Sequence, residues 1–214
     1  MSRKRTYLIL FQLVLIVILF CNGCFQLRSL DYKTHPKVIM QTDFGNIIFE
    51  LDLQNAPITT INFLRYVDEQ RLKPASFYRV VRMDNQPEND IKIEVIQGGI
   101  AFEDSPLMLP PIEHETTKET GILHKDGTIS MARNKAGVAS SEFFICIGNQ
   151  PELDFRGKRN SDGLGFAAFG RVIEGLDVVK KIHKQPANGQ MIISPVEIIK
   201  VKKGSHLIIR HKPK

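Results

Sequence analysis

The chain contains no tryptophan and, among its 214 residues, only three cysteines. Cys21 and Cys24 fall within the first two dozen residues, so the remainder carries Cys146 alone and cannot close an internal disulfide. Cys146 sits in the run Phe143-Phe144-Ile145-Cys146-Ile147, where a small buried apolar residue is expected. Also missing are a Gly-x-Ser-x-Gly elbow, a His-Glu-x-x-His pair, a phosphate-binding glycine loop and, past the N-terminal segment, any Cys-x-x-Cys. These absences argue against hydrolysis by an activated nucleophile. The six histidines are scattered. His114 and His124 with Glu113 or Glu115 are the nearest approach to a metal cluster, at a spacing that matches no common ligand pattern. We expect no metal and no cofactor. A hydrophobic content of 43% and a charged content of 24% argue against disorder and against several membrane spans.

The N-terminus differs in character from the rest. Arg3, Lys4 and Arg5 precede an apolar run from Tyr7 to Cys21, interrupted clearly only by Gln12. This is the layout of an export signal, and the basic flank stays on the cytoplasmic side. Asn22-Gly23-Cys24 resembles the end of a bacterial lipoprotein signal, which makes Cys24 the lipidation candidate, although Cys21 stands where such signals carry an aliphatic. An uncleaved anchor helix reaching about Phe25 is the alternative. Either arrangement yields an exported, membrane-tethered protein on the periplasmic or cell-envelope side. Residues 1–24 are thus read as signal peptide or anchor, 25–36 as a linker, 37–203 as the folded domain and 204–214 as a basic tail. Of the net charge of +6, the first segment supplies three positive charges, leaving 26 basic against 23 acidic residues. The tail reads as solvated, with weak attraction to anionic lipid at most and no case for nucleic-acid binding.

Within the domain, Val38, Met40 and Thr42 alternate before Asp43-Phe44-Gly45-Asn46, and Ile47, Phe49 and Leu51 alternate after it, which predicts a β-hairpin. Pro57 opens a helix whose apolar face is expected to carry Ile58, Ile61, Leu64 and Val67, widened by Phe63 and Tyr66. Further strands are expected over 76–81, 91–97, 128–131, 142–147, 165–172 and 192–201, with a second helix over 176–182. Many short strands and two helices indicate an all-β barrel or sandwich.

Five segments carry the most information: Phe77-Tyr78-Arg79-Val80-Val81, Ile96-Gln97-Gly98-Gly99, Ile129-Ser130-Met131-Ala132-Arg133, Ser141-Glu142-Phe143-Phe144-Ile145 and Gly165-Phe166-Ala167-Ala168-Phe169-Gly170. In this order they resemble the signature segments of the cyclophilin family, from about Lys37 to Lys202. The resemblance implies a closed eight-stranded antiparallel barrel capped by two α-helices. It also implies peptidyl-prolyl cis/trans isomerase activity in an outer groove that takes proline-containing segments of unfolded or partly folded proteins. A monomer is expected. Rotation about an X-Pro bond needs no nucleophile, because a hydrogen-bond donor aimed at the proline nitrogen stabilises only the twisted amide. The resemblance assigns that role to Arg79, with Gln97 holding Arg79 or the substrate carbonyl. Val95, Phe144, Leu153 and Phe166 would line the proline pocket, and Ala132 and Arg133 would meet the substrate backbone.

Three features depart from the family pattern. Glu142 replaces a Gln in the substrate-binding set, and its carboxylate could form a charge-assisted pair with Arg79, either orienting it or competing with substrate. Glu152 replaces an aromatic, which, with tryptophan absent, predicts weak cyclosporin binding. The connection between Arg79 and Gln97 is lengthened, and Glu94 stands where a Phe is expected. A groove of this kind could also serve a proline-peptide-binding chaperone or scaffold with little turnover.

Overall fold

The computed structural model describes residues 34–101, 105–135 and 139–204. The proposed leader, Cys24, the linker up to residue 33 and the tail beyond Gly204 lie outside the described residues. All the elements below belong to the unit that begins at His35.

The predicted hairpin forms as β1 (Lys37–Thr42) and β2 (Gly45–Leu51), with Met40 opposite Ile47. Asp43 and Phe44 make the loop, the Thr42 hydroxyl accepts the Phe44 N–H, and Val38, Met40, Ile47, Phe49 and Leu51 are all buried. The strands β3 (Ser76–Val81), β4 (Val95–Gly99), β5 (Thr128–Met131), β6 (Phe143–Cys146), β7 (Ala167–Glu174) and β9 (Met191–Lys203) follow, with a two-residue β8 (Ala187–Asn188). Neighbours run β1-β2-β7-β5-β6-β4-β3-β9, and β9 pairs back to β1, so eight antiparallel strands close a barrel. β8 is a short arm on β9 outside that ring.

Helices α1 (Pro57–Asp68) and α3 (Leu176–His183) stand where two were expected, and Thr117–Thr120 adds a single-turn α2. The face that α1 buries differs from the predicted one. Phe63, Tyr66 and Val67 are buried with Thr59, Thr60 and Asn62, whereas Ile58 and Ile61 are 39% and 52% exposed. Two aromatic rings offer more area to bury than two isoleucines, and they set the roll of the helix. The polar residues on that face are satisfied: Asn62 donates to the Ser140 carbonyl, and Glu115 accepts the N–H groups of Ile58 and Thr59.

Two strands start two or more residues later than expected, each for a hydrogen-bonding reason. Residues 91–94 stay out of β4 because the Gln86 side chain takes both backbone groups of Ile93. Gly165 and Phe166 stay out of β7 because the Phe166 N–H goes to the Leu153 carbonyl and the Gly165 carbonyl to Arg133.

The barrel interior holds one apolar cluster, in which Phe143 meets Phe63 and Phe77 edge-on at 5.6 and 5.8 Å. A second, smaller cluster of Val81, Ile93, Val95, Phe144, Cys146 and Leu153 packs with Ala132 and Phe166. Strand alternation separates Phe143 from Phe144: one ring fills the barrel and the other faces outward. Cys146, fully buried in that second cluster, has its thiol ionisation pushed far up by desolvation.

Candidate active site

Pairing register places the outer-face residues side by side. Arg79 lies opposite Gln97, Gln97 opposite Phe144, and Phe144 opposite Ser130. Directly opposed residues of an antiparallel pair stand about 4.5–5.5 Å apart at Cβ on one face. Over them lies a groove of about 410 Å³. It is lined by all nine residues singled out in the sequence: Arg79, Gln97 and Glu142 on its polar side, Val95, Phe144, Leu153 and Phe166 on its apolar side, with Ala132 and Arg133. The Phe144 and Phe166 rings meet edge-on at 5.2 Å.

Arg79 is held by neutral partners. Its Nη1 donates to Gln97 Oε1 at 2.7 Å, while Nε and Nη2 both donate to Gln190 Oε1, at 3.0 and 2.5 Å. Gln190 is itself fixed, since its side-chain amide donates to the Asn85 carbonyl and its backbone carbonyl accepts the Val80 N–H. Desolvation lowers the guanidinium pKa from its usual value. The expected pairing of Arg79 with Glu142 does not occur. The Glu142 carboxylate instead accepts from the Tyr78 hydroxyl, from the Ala101 N–H at 3.0 Å and from the Ser141 hydroxyl at 3.1 Å. Gly99 makes room for it: φ is +151° there, and a Cβ would collide with that carboxylate.

Tyr78 closes the circuit, accepting from Gln97 Nε2 at 2.8 Å while donating to Glu142. Desolvation, and after it the Glu142 charge, pushes the phenol pKa well above its ordinary value. Strict alternation would send Tyr78 and Arg79 to opposite faces. A bulge between Phe77 and Arg79 leaves Tyr78 unopposed, which turns it into the groove beside its neighbour.

The donors of Arg133 are largely committed. They form a fork on Asp162 at 2.7 and 2.9 Å and a bond to the Gly165 carbonyl, and the guanidinium lies 5.3 Å from the Phe166 ring centre. This pairing holds the Asp162 pKa down at about 2. Glu152 does not line the groove, and its carboxylate accepts the Lys158 N–H. The apolar end left without a Phe at position 94 is filled by Ile93 and Val81. The lengthened connection is strapped down: Arg82 donates to the carbonyls of His183 and Gln185, and Asn85 to those of Val80 and Gly189.

One other constellation looks reactive. His124 bonds Asp154 through Nδ1 at 2.7 Å and Ser130 Oγ through Nε2 at 3.0 Å. Ser130 is 0% exposed and His124 stacks on Phe144 at 5.9 Å, so the hydroxyl cannot reach a substrate. These bonds brace the groove floor. His124 and Glu115 are thereby engaged away from each other, and among the described residues no cluster suited to a metal ion forms.

The family model described as cyclophilin type peptidyl-prolyl cis-trans isomerase/CLD matches residues 37–203. The chain belongs to the cyclophilin family. Peptidyl-prolyl cis-trans isomerase A of Dickeya dadantii is 34% identical over 154 residues, covering 71% of this chain and 73% of that protein. Isomerase B of Escherichia coli is 33% identical over 153 residues, covering 68% and 82%. A crystal structure of a cyclophilin-type isomerase from Cryptosporidium parvum superposes with a TM-score of 0.64 at 19% identity, over 81% of this chain and 99% of that one. A second structure of that protein was determined in the presence of the dipeptide Ala-Pro. As a cyclophilin the chain is a peptidyl-prolyl cis/trans isomerase.

Sequence reading missed Tyr78, Gln190, Ile93 and Arg159 as parts of this site. Tyr78 adjoins Arg79 in the signature segment, but alternation points it the wrong way. Gln190 is 111 residues from its partner and left no local signal.

Proposed function

We propose that this cyclophilin turns X-Pro bonds in exported proteins as they fold, with Arg79 as the catalytic donor. The observation that carries the assignment is the state of Arg79: a guanidinium fixed by two amide oxygens, paired with no carboxylate among the described residues, beside an apolar pocket. Of its five N–H groups, three are spent on Gln97 and Gln190, which leaves two for a substrate. The amide barrier is about 18–20 kcal/mol, and it falls when a donor meets the proline nitrogen in the twisted geometry alone. Phe144, Phe166, Leu153 and Val95 would hold the proline ring, in keeping with the dipeptide Ala-Pro present with the Cryptosporidium relative. Gln97, locked by Tyr78, keeps Arg79 in place.

Isomerisation of a proline peptide by the wild type and by Arg79→Ala tests the assignment. A loss of about 100-fold or more in kcat is expected. Tight peptide binding with no acceleration by the wild type would make the protein a proline-binding module instead. The N-terminal basic and apolar pattern supports export and tethering. Labelling with a lipid precursor in wild type and Cys24→Ser separates an acyl anchor from an uncleaved helix.

A further inference from the structure

We infer that the groove carries an anion-selecting subsite at Arg159, which favours client segments bearing an Asp or Glu carboxylate close to the proline. The inference rests on the proline-segment groove described above. Arg159 comes from the loop between Leu153 and Phe166, and its side chain lines the same groove as Arg79. Its backbone N–H is fixed on the Glu152 carbonyl at 3.1 Å, and its Nη1 donates to the Ile91 carbonyl at 2.6 Å. That single side-chain bond uses one of five N–H groups.

The charges around it are unbalanced. Among the described residues no carboxylate lies within 4.0 Å of either Arg79 or Arg159. Arg133 is neutralised by Asp162. Glu142, the carboxylate that lines the groove, already accepts from Tyr78, Ala101 and Ser141. Two guanidinium groups thus share a partly desolvated groove with no carboxylate in contact with either, and the charge of Glu142 is held across it by neutral donors. Burial first, and then the charge of Arg79, lowers the pKa of Arg159. A client carboxylate entering beside the proline relieves that repulsion and takes charge-assisted hydrogen bonds from donors that have no other partner among the described residues. A neutral client leaves the repulsion in place. The bond to Ile91 alone would instead make Arg159 a staple between two loops, indifferent to client charge.

Matched peptides with glutamate or glutamine at each of the two positions on either side of a proline distinguish these roles, with dissociation constants read by calorimetry and turnover in parallel. At one position or more, glutamate should bind about tenfold tighter at low salt. That ratio should fall to within about twofold in Arg159→Gln and recover in Arg159→Lys. Screening near 1 M salt, where the Debye length is about 3 Å, should shrink the ratio in the wild type without any mutation. Equal binding of glutamate and glutamine peptides at every position, or an advantage that survives Arg159→Gln, overturns the subsite. Turnover of the neutral peptides in the same runs reports on the isomerase assignment separately.

Discussion

Replacing Tyr78 with phenylalanine keeps the ring and deletes one oxygen from the middle of the polar network. Two hydrogen bonds go with it: the bond to the Glu142 carboxylate and the bond accepted from Gln97 at 2.8 Å. The first is charge-assisted and worth about 1.5–3 kcal/mol, the second about 0.5–1.5 kcal/mol. Both partners border an open groove, so water recovers roughly half of that sum. We expect a net loss of about 1–2 kcal/mol, which in a domain of this size lowers Tm by about 3–6 °C. Catalysis should suffer more than folding. Without Tyr78 the Gln97 amide is held from one side only, and the Nη1 of Arg79 loses its fixed acceptor. A small misplacement of a transition-state donor is costly, and kcat should drop about tenfold with KM little changed. Thermal unfolding followed by circular dichroism, together with a proline-peptide isomerisation assay, reads both effects. A Tm within about 1 °C of wild type and an unaltered kcat would show that Gln97 does not depend on Tyr78.

Other substitutions probe the same network from different sides. Gln190→Ala removes the acceptor for two Arg79 donors and should lower kcat while leaving KM within about twofold, whereas Gln190→Glu, which keeps an acceptor, should restore part of the loss; steady-state kinetics of the three proteins decides. Glu142→Gln leaves the Ala101 N–H an acceptor but takes the charge from beside Tyr78, so turnover should change and the phenol should titrate lower, though still above its ordinary value because burial remains. Ultraviolet difference titration measures that shift, and unchanged turnover would remove Glu142 from the site. The Asp162 pKa is depressed on folding to about 2, against about 3.9 for an unfolded aspartate, so its stabilising contribution is complete above about pH 4 and disappears as the pH falls towards 2. Urea unfolding of wild type and Asp162→Asn should therefore differ most near neutrality and converge in acid.

The sequence made the barrel legible because alternation survives on strands that are buried on one side. The hairpin of β1 and β2 and the division of labour between Phe143 and Phe144 both follow from a period of two. Arg79, Gln97, Val95 and Phe144 share one groove because their strands are neighbours in matching register, while Leu153 and Phe166 join them from the connection between β6 and β7. What escaped was set by competition or by distance. The roll of α1 is decided by two aromatic rings that outweigh two isoleucines, a comparison of areas that periodicity cannot make. Tyr78 enters the groove through a bulge, which breaks the very alternation used to read strands. The clamp on Arg79 depends on Gln190 at the β8-β9 turn, brought close only once the barrel has closed.

Closure of that ring bears on the company such a protein keeps. Unfolded clients are sticky, and an open sheet offers them a row of unpaired amides on which to lay down another strand. Here every strand of the ring has a neighbour on both sides, and the edge left free beyond it is the two-residue β8. The paired ring offers a client no free strand edge along which to add itself. The client can be gripped at a proline in mid-chain, with no end to thread, and let go without having been recruited into a sheet.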